Sequence, residues 1–184
     1  DKAATRLAIF RDKKEFQNVG GISDRAMLRL GLSLLATKNL DAGREALETM
    51  LQRFANSQYA PEARYGVAQA LQNQGKLDEA VKLYDQVIAA TKAEVAAKSY
   101  MQIGECRMAQ KRYADAATAF LTVPYTFDYP EIANAGYLEA ARAYTEDGKR
   151  DEAERLLQKL IDSNPADSSW HKAAKERLDK LPKK

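Results

Sequence analysis

One cysteine, one histidine, nine glycines and five prolines are all that 184 residues hold of these four types, and each scarcity closes a class of function. A lone Cys106 can form no internal disulfide, so cysteine pairing says nothing of compartment. It sits on an apolar helical stripe with nothing nearby in sequence to lower its pKa, which favours an inert buried thiol over a nucleophile. With His171 the only histidine, no multi-histidine metal site or two-histidine mechanism can be built, and zinc on Cys106 and His171 would need ligands from distant parts of the chain. Gly20-Gly21 has neither the spacing nor the following Lys-Ser/Thr of a phosphate-cradling loop. No apolar run approaches the ~18 residues of a membrane span. No stretch reads as a signal peptide, and a chain that opens at Asp1 without methionine reads as a processed or excised fragment. No catalytic residue, metal or cofactor is expected.

What the chain has is helix-forming residues, for Ala, Leu, Glu, Lys, Gln and Arg dominate a sequence that is 45% hydrophobic and 30% charged. An all-α fold follows. The 29 basic and 26 acidic residues interleave to a net charge of +3, as on solvated helix faces, and do not argue for nucleic acid. Bases prevail only near the end, where Lys172, Lys175, Arg177, Lys180, Lys183 and Lys184 outweigh Glu176 and Asp179, as a solvated end or an anionic docking patch.

Segments starting at Asp24, Pro61, Ala97 and Asn134 align on one another, each a helix–turn–helix unit. Counting each start as position 1, position 8 holds Gly31, Ala68, Gly104 and Ala141, and position 20 holds Gly43, Ala80, Ala116 and Ala153. Small residues at both sites let the two helices of a hairpin cross closely. Large residues fill position 24 with Leu47, Tyr84, Phe120 and Leu157, and position 7 with Leu30, Val67, Ile103 and Ala140. Gly75 and Gly148 mark turns between helices, where glycine takes the left-handed conformation that ends a helix. Asp78-Glu79 and Asp151-Glu152 give the following helices an acidic first turn suited to their dipoles, which accounts for these carboxylates without catalysis. Pro61 and Pro165 mark boundaries between units.

This pattern resembles the tetratricopeptide repeat family, most closely in the last unit with Tyr137, Tyr144, Gly148, Ala153 and Pro165. The resemblance implies a right-handed α-α superhelix, a solenoid of about four helix–turn–helix repeats with flanking helices. The expected division is an N-terminal helical segment at 1–22, repeats at 24–60, 61–96, 97–133 and 134–167 within 23–167, and a capping helix with basic tail at 168–184. Leu7, Phe10 and Phe16 make 1–18 helical, ended by Gly20-Gly21, and Ser168 and Ser169 cap a last helix carrying Trp170, Ala173, Ala174, Leu178 and Leu181. The joint from Arg53 to Ala63 is similar to that of bacterial envelope members, the outer-membrane assembly lipoproteins and Tol-Pal-associated coordinators, with Ala55 where those have Pro. A periplasmic or cell-envelope setting is what this implies, a cytoplasmic one staying open.

Within that family the first helix of each repeat lines the concave surface, its outward positions being 2, 5, 9 and 12. These hold Glu62, Tyr65, Gln69 and Gln72 in the second repeat, Lys98, Met101, Glu105 and Met108 in the third, and Ala135, Leu138, Arg142 and Thr145 in the fourth. The expected partner-binding residues are Tyr65, Gln69, Met101, Glu105, Leu138 and Arg142, a mix of anchors and adaptable side chains suited to a peptide or protein. Ordinary inter-repeat packing is the alternative for any one of them. In the first repeat the same positions give Arg25, Leu28, Leu32 and Leu35, an apolar stripe for the N-terminal segment, a partner or a second copy to cover. Leu28, Leu32 and Leu35 are thus the residues expected to carry self-association into a homodimer, if it occurs. With Leu28, Leu32 and Gly66 where the family's carboxylate clamp has Lys and Asn, no grip on a peptide C-terminus is implied. Between the third and fourth repeats, the loop Val123-Pro124-Tyr125-Thr126-Phe127-Asp128-Tyr129-Pro130 offers its aromatics as recognition anchors or as plugs for a long joint. The functional expectation is a protein-interaction scaffold. A self-associating structural subunit is the alternative, and an RNA-binding repeat is disfavoured by Glu62, Glu105 and Glu139 in the groove.

Overall fold

A computed structural model describes residues 2–182, so Asp1 and the tail residues Lys183 and Lys184 lie outside the described residues. Every regular element among the described residues is a helix, in agreement with the all-α expectation. The chain divides into two compact units, Asp1–Thr91 and Lys92–Lys184.

The first unit opens with α1 (Lys2–Leu7), α2 (Ile9–Asp12) and a 3-10 turn (Lys14–Phe16). The expected helix over 1–18 is therefore broken into pieces. Its parts are tied down: the Phe10 and Phe16 rings meet at 5.8 Å, Ser23 donates to the Phe16 carbonyl and accepts from the Val19 N–H, and Arg53 reaches the Phe10 and Arg11 carbonyls. Two hairpins follow, α3 (Ser23–Ala36) with α4 (Leu40–Arg53) and α5 (Ala60–Asn73) with α6 (Leu77–Ala90); α1 lies on α3, and α5 packs on both α3 and α4.

The second unit pairs α7 (Glu94–Ala109) with α8 (Tyr113–Thr126) and α9 (Pro130–Glu146) with α10 (Arg150–Asp162), and α11 (Ser169–Asp179) closes on α10. Ser168 caps α11, its hydroxyl accepting from the His171 N–H. His171 Nδ1 lies 3.1 Å from the Ile161 carbonyl, a structural position for the chain's sole imidazole.

Packing follows the repeat. Leu47, Tyr84, Phe120 and Leu157 at position 24, and Leu30, Val67, Ile103 and Ala140 at position 7, are all buried. The small residues of position 8 make room for them: a Cβ added to Gly31 would lie 2.4 Å from Leu47 Cγ, and one on Gly104 2.4 Å from the Phe120 ring. Gly31 also faces the Gly43 carbonyl, its added Cβ 3.1 Å away, so backbones approach where both residues are glycine.

All four hairpins turn on one left-handed residue, and its recurrence at Lys38, Gly75, Lys111 and Gly148 keeps the 37-, 36- and 37-residue intervals of the aligned segments. After it the N–H of Asn39, Lys76, Arg112 or Lys149 bonds back to the carbonyl five residues earlier, the Schellman closure of a helix end.

The aromatic loop is shorter than expected. Val123 to Thr126 belong to α8, with Pro124 inside its last turn, and only Phe127, Asp128 and Tyr129 separate α8 from α9. Pro124 has no N–H for the Phe120 carbonyl, and α9 approaches that carbonyl at Gly136, where an added Cβ would lie 2.7 Å away.

Candidate functional site

The six expected partner residues fall on three first helices. Tyr65 and Gln69 are on α5 in the first unit; Met101 and Glu105 are on α7, and Leu138 and Arg142 on α9, in the second.

In the first unit Tyr65 is half-buried with its ring 5.5 Å from that of Tyr84, and its hydroxyl accepts from the Gln69 amide. Tyr84 in turn donates to Gln72 at 2.7 Å. Burial pushes the Tyr65 phenol up to about 12, because the phenolate would lose hydration.

In the second unit the side chains converge on Arg142. Its Nη2 lies 2.6 Å from Glu105 Oε1 on α7, and its Nε donates to Glu139 one turn away on α9. Glu139 also takes Arg177 of α11 at 3.0 Å, and the same guanidinium donates to the Leu138 carbonyl at 2.8 Å. Charges thus alternate from α7 through α9 to α11. Burial works against the charge of Arg142, but its bonds to Glu105 and Glu139 outweigh that, and its pKa is raised.

Arg142 and Glu146 line two cavities at once. One, of about 380 Å³, has Glu105, Met108 and Tyr113 around it. The other, of about 260 Å³, has Ala141, Leu157 and Leu181 with Arg177 and Lys180. Arg142 and Glu105 therefore stand together at an accessible surface.

Leu138 does not. Only 7% exposed, it belongs to a core with Ala153, Leu157, Leu160, Ala174 and Leu181, because α11 occupies the side that an outward position would leave open. Met101 is half-buried against the core formed by Ala116, Phe120 and Ala140. Sequence reasoning did not single out Tyr113 or Glu146, and it placed Arg177 only in the basic end of the chain; tertiary packing of α11 brings Arg177 to Glu139, which no local pattern announces.

The stripe on α3 is also placed differently. Leu28 is 8% exposed and part of the core, and Leu35 is half-buried against α4 and α5, touching the space a Cβ on Gly43 or Gly66 would need. Only Leu32 of the three stays exposed. The aromatics near 125 divide as well: Phe127 packs on Tyr100 of α7 at 5.9 Å and stacks with Tyr129, so both act as plugs. Tyr125, 70% exposed, meets Tyr137 edge-on, and Lys159 lies over both rings.

Among the described residues no cluster of His, Cys, Asp and Glu is placed to hold a metal, and no helix is long and apolar enough to cross a membrane.

Profiles of the tetratricopeptide repeat match residues 28–93, 65–126 and 135–167. Among solved structures, nearly identical TPR-like repeats from Podosopora anserina match with 20% identity and a TM-score of 0.69 over 85% of this chain and 84% of that one. MamA from Desulfovibrio magneticus RS-1 matches with 19% identity and a TM-score of 0.65 over 89% and 95% of the two chains. BtubC from P. vanneervenii matches with 13% identity and a TM-score of 0.72 over 97% and 73%. At such identities the likeness is one of fold. A search of curated proteins finds no significant match.

Proposed function

This chain belongs to the tetratricopeptide repeat family, whose repeats mediate protein–protein interaction, and on that premise we propose that it is a scaffold that holds an extended peptide segment of a partner protein. It works by binding, without chemistry of its own.

One observation carries the reading: Arg142 and Glu146 border two adjoining cavities of unlike character on the second unit. An extended peptide sets successive side chains apart, so two cavities that share Arg142 and Glu146 as their border are suited to two side chains of one segment. The cavity beside Met108 and Tyr113 is lined by Glu146 and by Glu105, the latter already paired with Arg142, and the acid in excess suits it to a basic side chain. Its neighbour has an apolar floor of Ala141, Leu157 and Leu181 under cationic groups, and takes an apolar side chain next to an acidic one. Tyr65 and Gln69 of the first unit are assigned to the same function as a second contact region. The joint from Arg53 to Ala63, through its likeness to envelope members of the family, supports a setting in the bacterial cell envelope.

Peptides selected from a random display library against the whole chain test the site. Amide exchange with a selected peptide bound should slow in α7, α9 and α11. Protection confined to α4, α6 and α10 would refute the assignment.

A further inference from the structure

We propose that the exposed face of α3 is a second docking surface, for an acidic amphipathic helix of a partner protein. Arg25, Arg29, Leu32 and Ala36 are all exposed, their spacing of four, three and four residues draws one straight stripe along α3, and exposed Ile22 stands at the N-cap just before it. Two large apolar side chains stand open there, Ile22 at 51% and Leu32 at 38% exposure. At its N-terminal end the stripe widens into a cavity of about 430 Å³, where Leu7 and Phe10 of the N-terminal segment face Ile22, Ala26, Arg25 and Arg29.

The charges choose the occupant. Neither the Arg25 nor the Arg29 guanidinium pairs with a carboxylate among the described residues. The nearest acid in sequence, Asp24, is engaged elsewhere: one oxygen accepts the Arg25 backbone N–H at 2.7 Å and the other accepts the Ser57 hydroxyl at 2.7 Å. Two unpaired cations between two exposed apolar residues are complementary to a helix with apolar residues at the same heptad spacing and Glu or Asp between them. A second copy of this chain meets the opposite condition. A two-fold axis passing between Arg25 and Arg29, or running parallel to α3, would set the Arg25–Arg29 pair of one copy against the same pair of the other, and like charges so placed repel. From Ile22 to Ala36 the surface rises about 20 Å at ~1.5 Å per residue, room for four turns of a partner helix.

The probes are two fluorescein-labelled helical peptides of about 18 residues with one Leu heptad pattern, flanked by Glu in one and by Lys in the other. Anisotropy with the whole chain should show saturable binding of the Glu peptide, weakened at high salt, and none of the Lys peptide. Arg25→Glu with Arg29→Glu should lower affinity for the Glu peptide by about tenfold or more and create affinity for the Lys peptide; both sites are exposed, so circular dichroism should stay unchanged. Arg29→Glu alone should act in the same direction, and Leu32→Glu should also weaken binding. The exposed bases Lys76 and Lys82, changed to Glu, should leave binding as it was. Failure of the Glu peptide to bind, equal loss in the Lys76 and Lys82 control, or no transfer of preference to the Lys peptide overturns the proposal. So does a dimer, seen by light scattering, that Leu32→Glu abolishes.

Discussion

Arg142 and Glu105 stand 37 residues apart, at the same place on two successive first helices, and their side chains meet at 2.6 Å. The repeat period turns a long separation in sequence into a neighbour relation, because α9 packs alongside α7. Both side chains are about one-third exposed, so a double-mutant cycle with Glu105→Gln and Arg142→Gln should give a coupling of only about 0.2–1 kcal/mol in stability. A coupling of several kcal/mol would assign the pair to the fold and remove the case for a binding role.

Glycine contacts set the hairpin spacing. Gly136→Ala puts a methyl against the Phe120 carbonyl, which is backbone and cannot swing away, and should cost about 1–3 kcal/mol. Gly104→Ala meets the Phe120 ring, and Phe120→Leu in the same chain should recover part of that loss. Urea midpoints measure all three; an unchanged midpoint for Gly136→Ala contradicts the packing.

Two of the four hairpin turns carry lysine where φ is positive, 62° at Lys38 and 58° at Lys111. Only glycine adopts that conformation without a Cβ penalty, so Lys111→Gly should stabilise the chain by about 0.5–1 kcal/mol and Gly148→Ala should destabilise it by about 1 kcal/mol. Thermal or urea unfolding reads both signs.

Tyr65 gives the account a pH dependence. Its folded pKa is about 12, above the ordinary 10.0, so the neutral phenol is favoured by folding. The contribution is fully present below pH 10 and is lost as the pH rises from there through 12. Tyrosinate absorbance should show a late component that Tyr65→Phe removes, and the same change should flatten the fall in stability across that window.

The repeat was legible because its signals are local: one small residue at position 8 and one large residue at position 24 suffice, and both pack as the spacing requires. Gly75 and Gly148 likewise announced their turns by residue type. Lys38 and Lys111 did not, since lysine has no preference for a left-handed backbone and only the period places them. Faces were harder, for one residue along a helix rotates the surface by 100°. On α3 the line of exposure passes through Arg29 and leaves Leu28 in the core. Leu138 was misplaced for another reason, because α11 packs where a fifth repeat would have begun. Pro124 read as a loop residue, yet sits in the last turn of α8, where only one bond of the helix is forfeited.

The most direct test of the central claim is the affinity of a library-selected peptide for four versions of the chain: wild type, Arg142→Ala, Tyr125→Ala with Phe127→Ala, and the exposed control Lys82→Ala. If the two cavities beside Arg142 hold the segment, Arg142→Ala should weaken binding by about 1–2 kcal/mol with helicity unchanged, while the control and the aromatic pair bind as wild type. Full affinity in Arg142→Ala with loss in the Tyr125 and Phe127 variant would move the site to the α8–α9 joint and contradict the account.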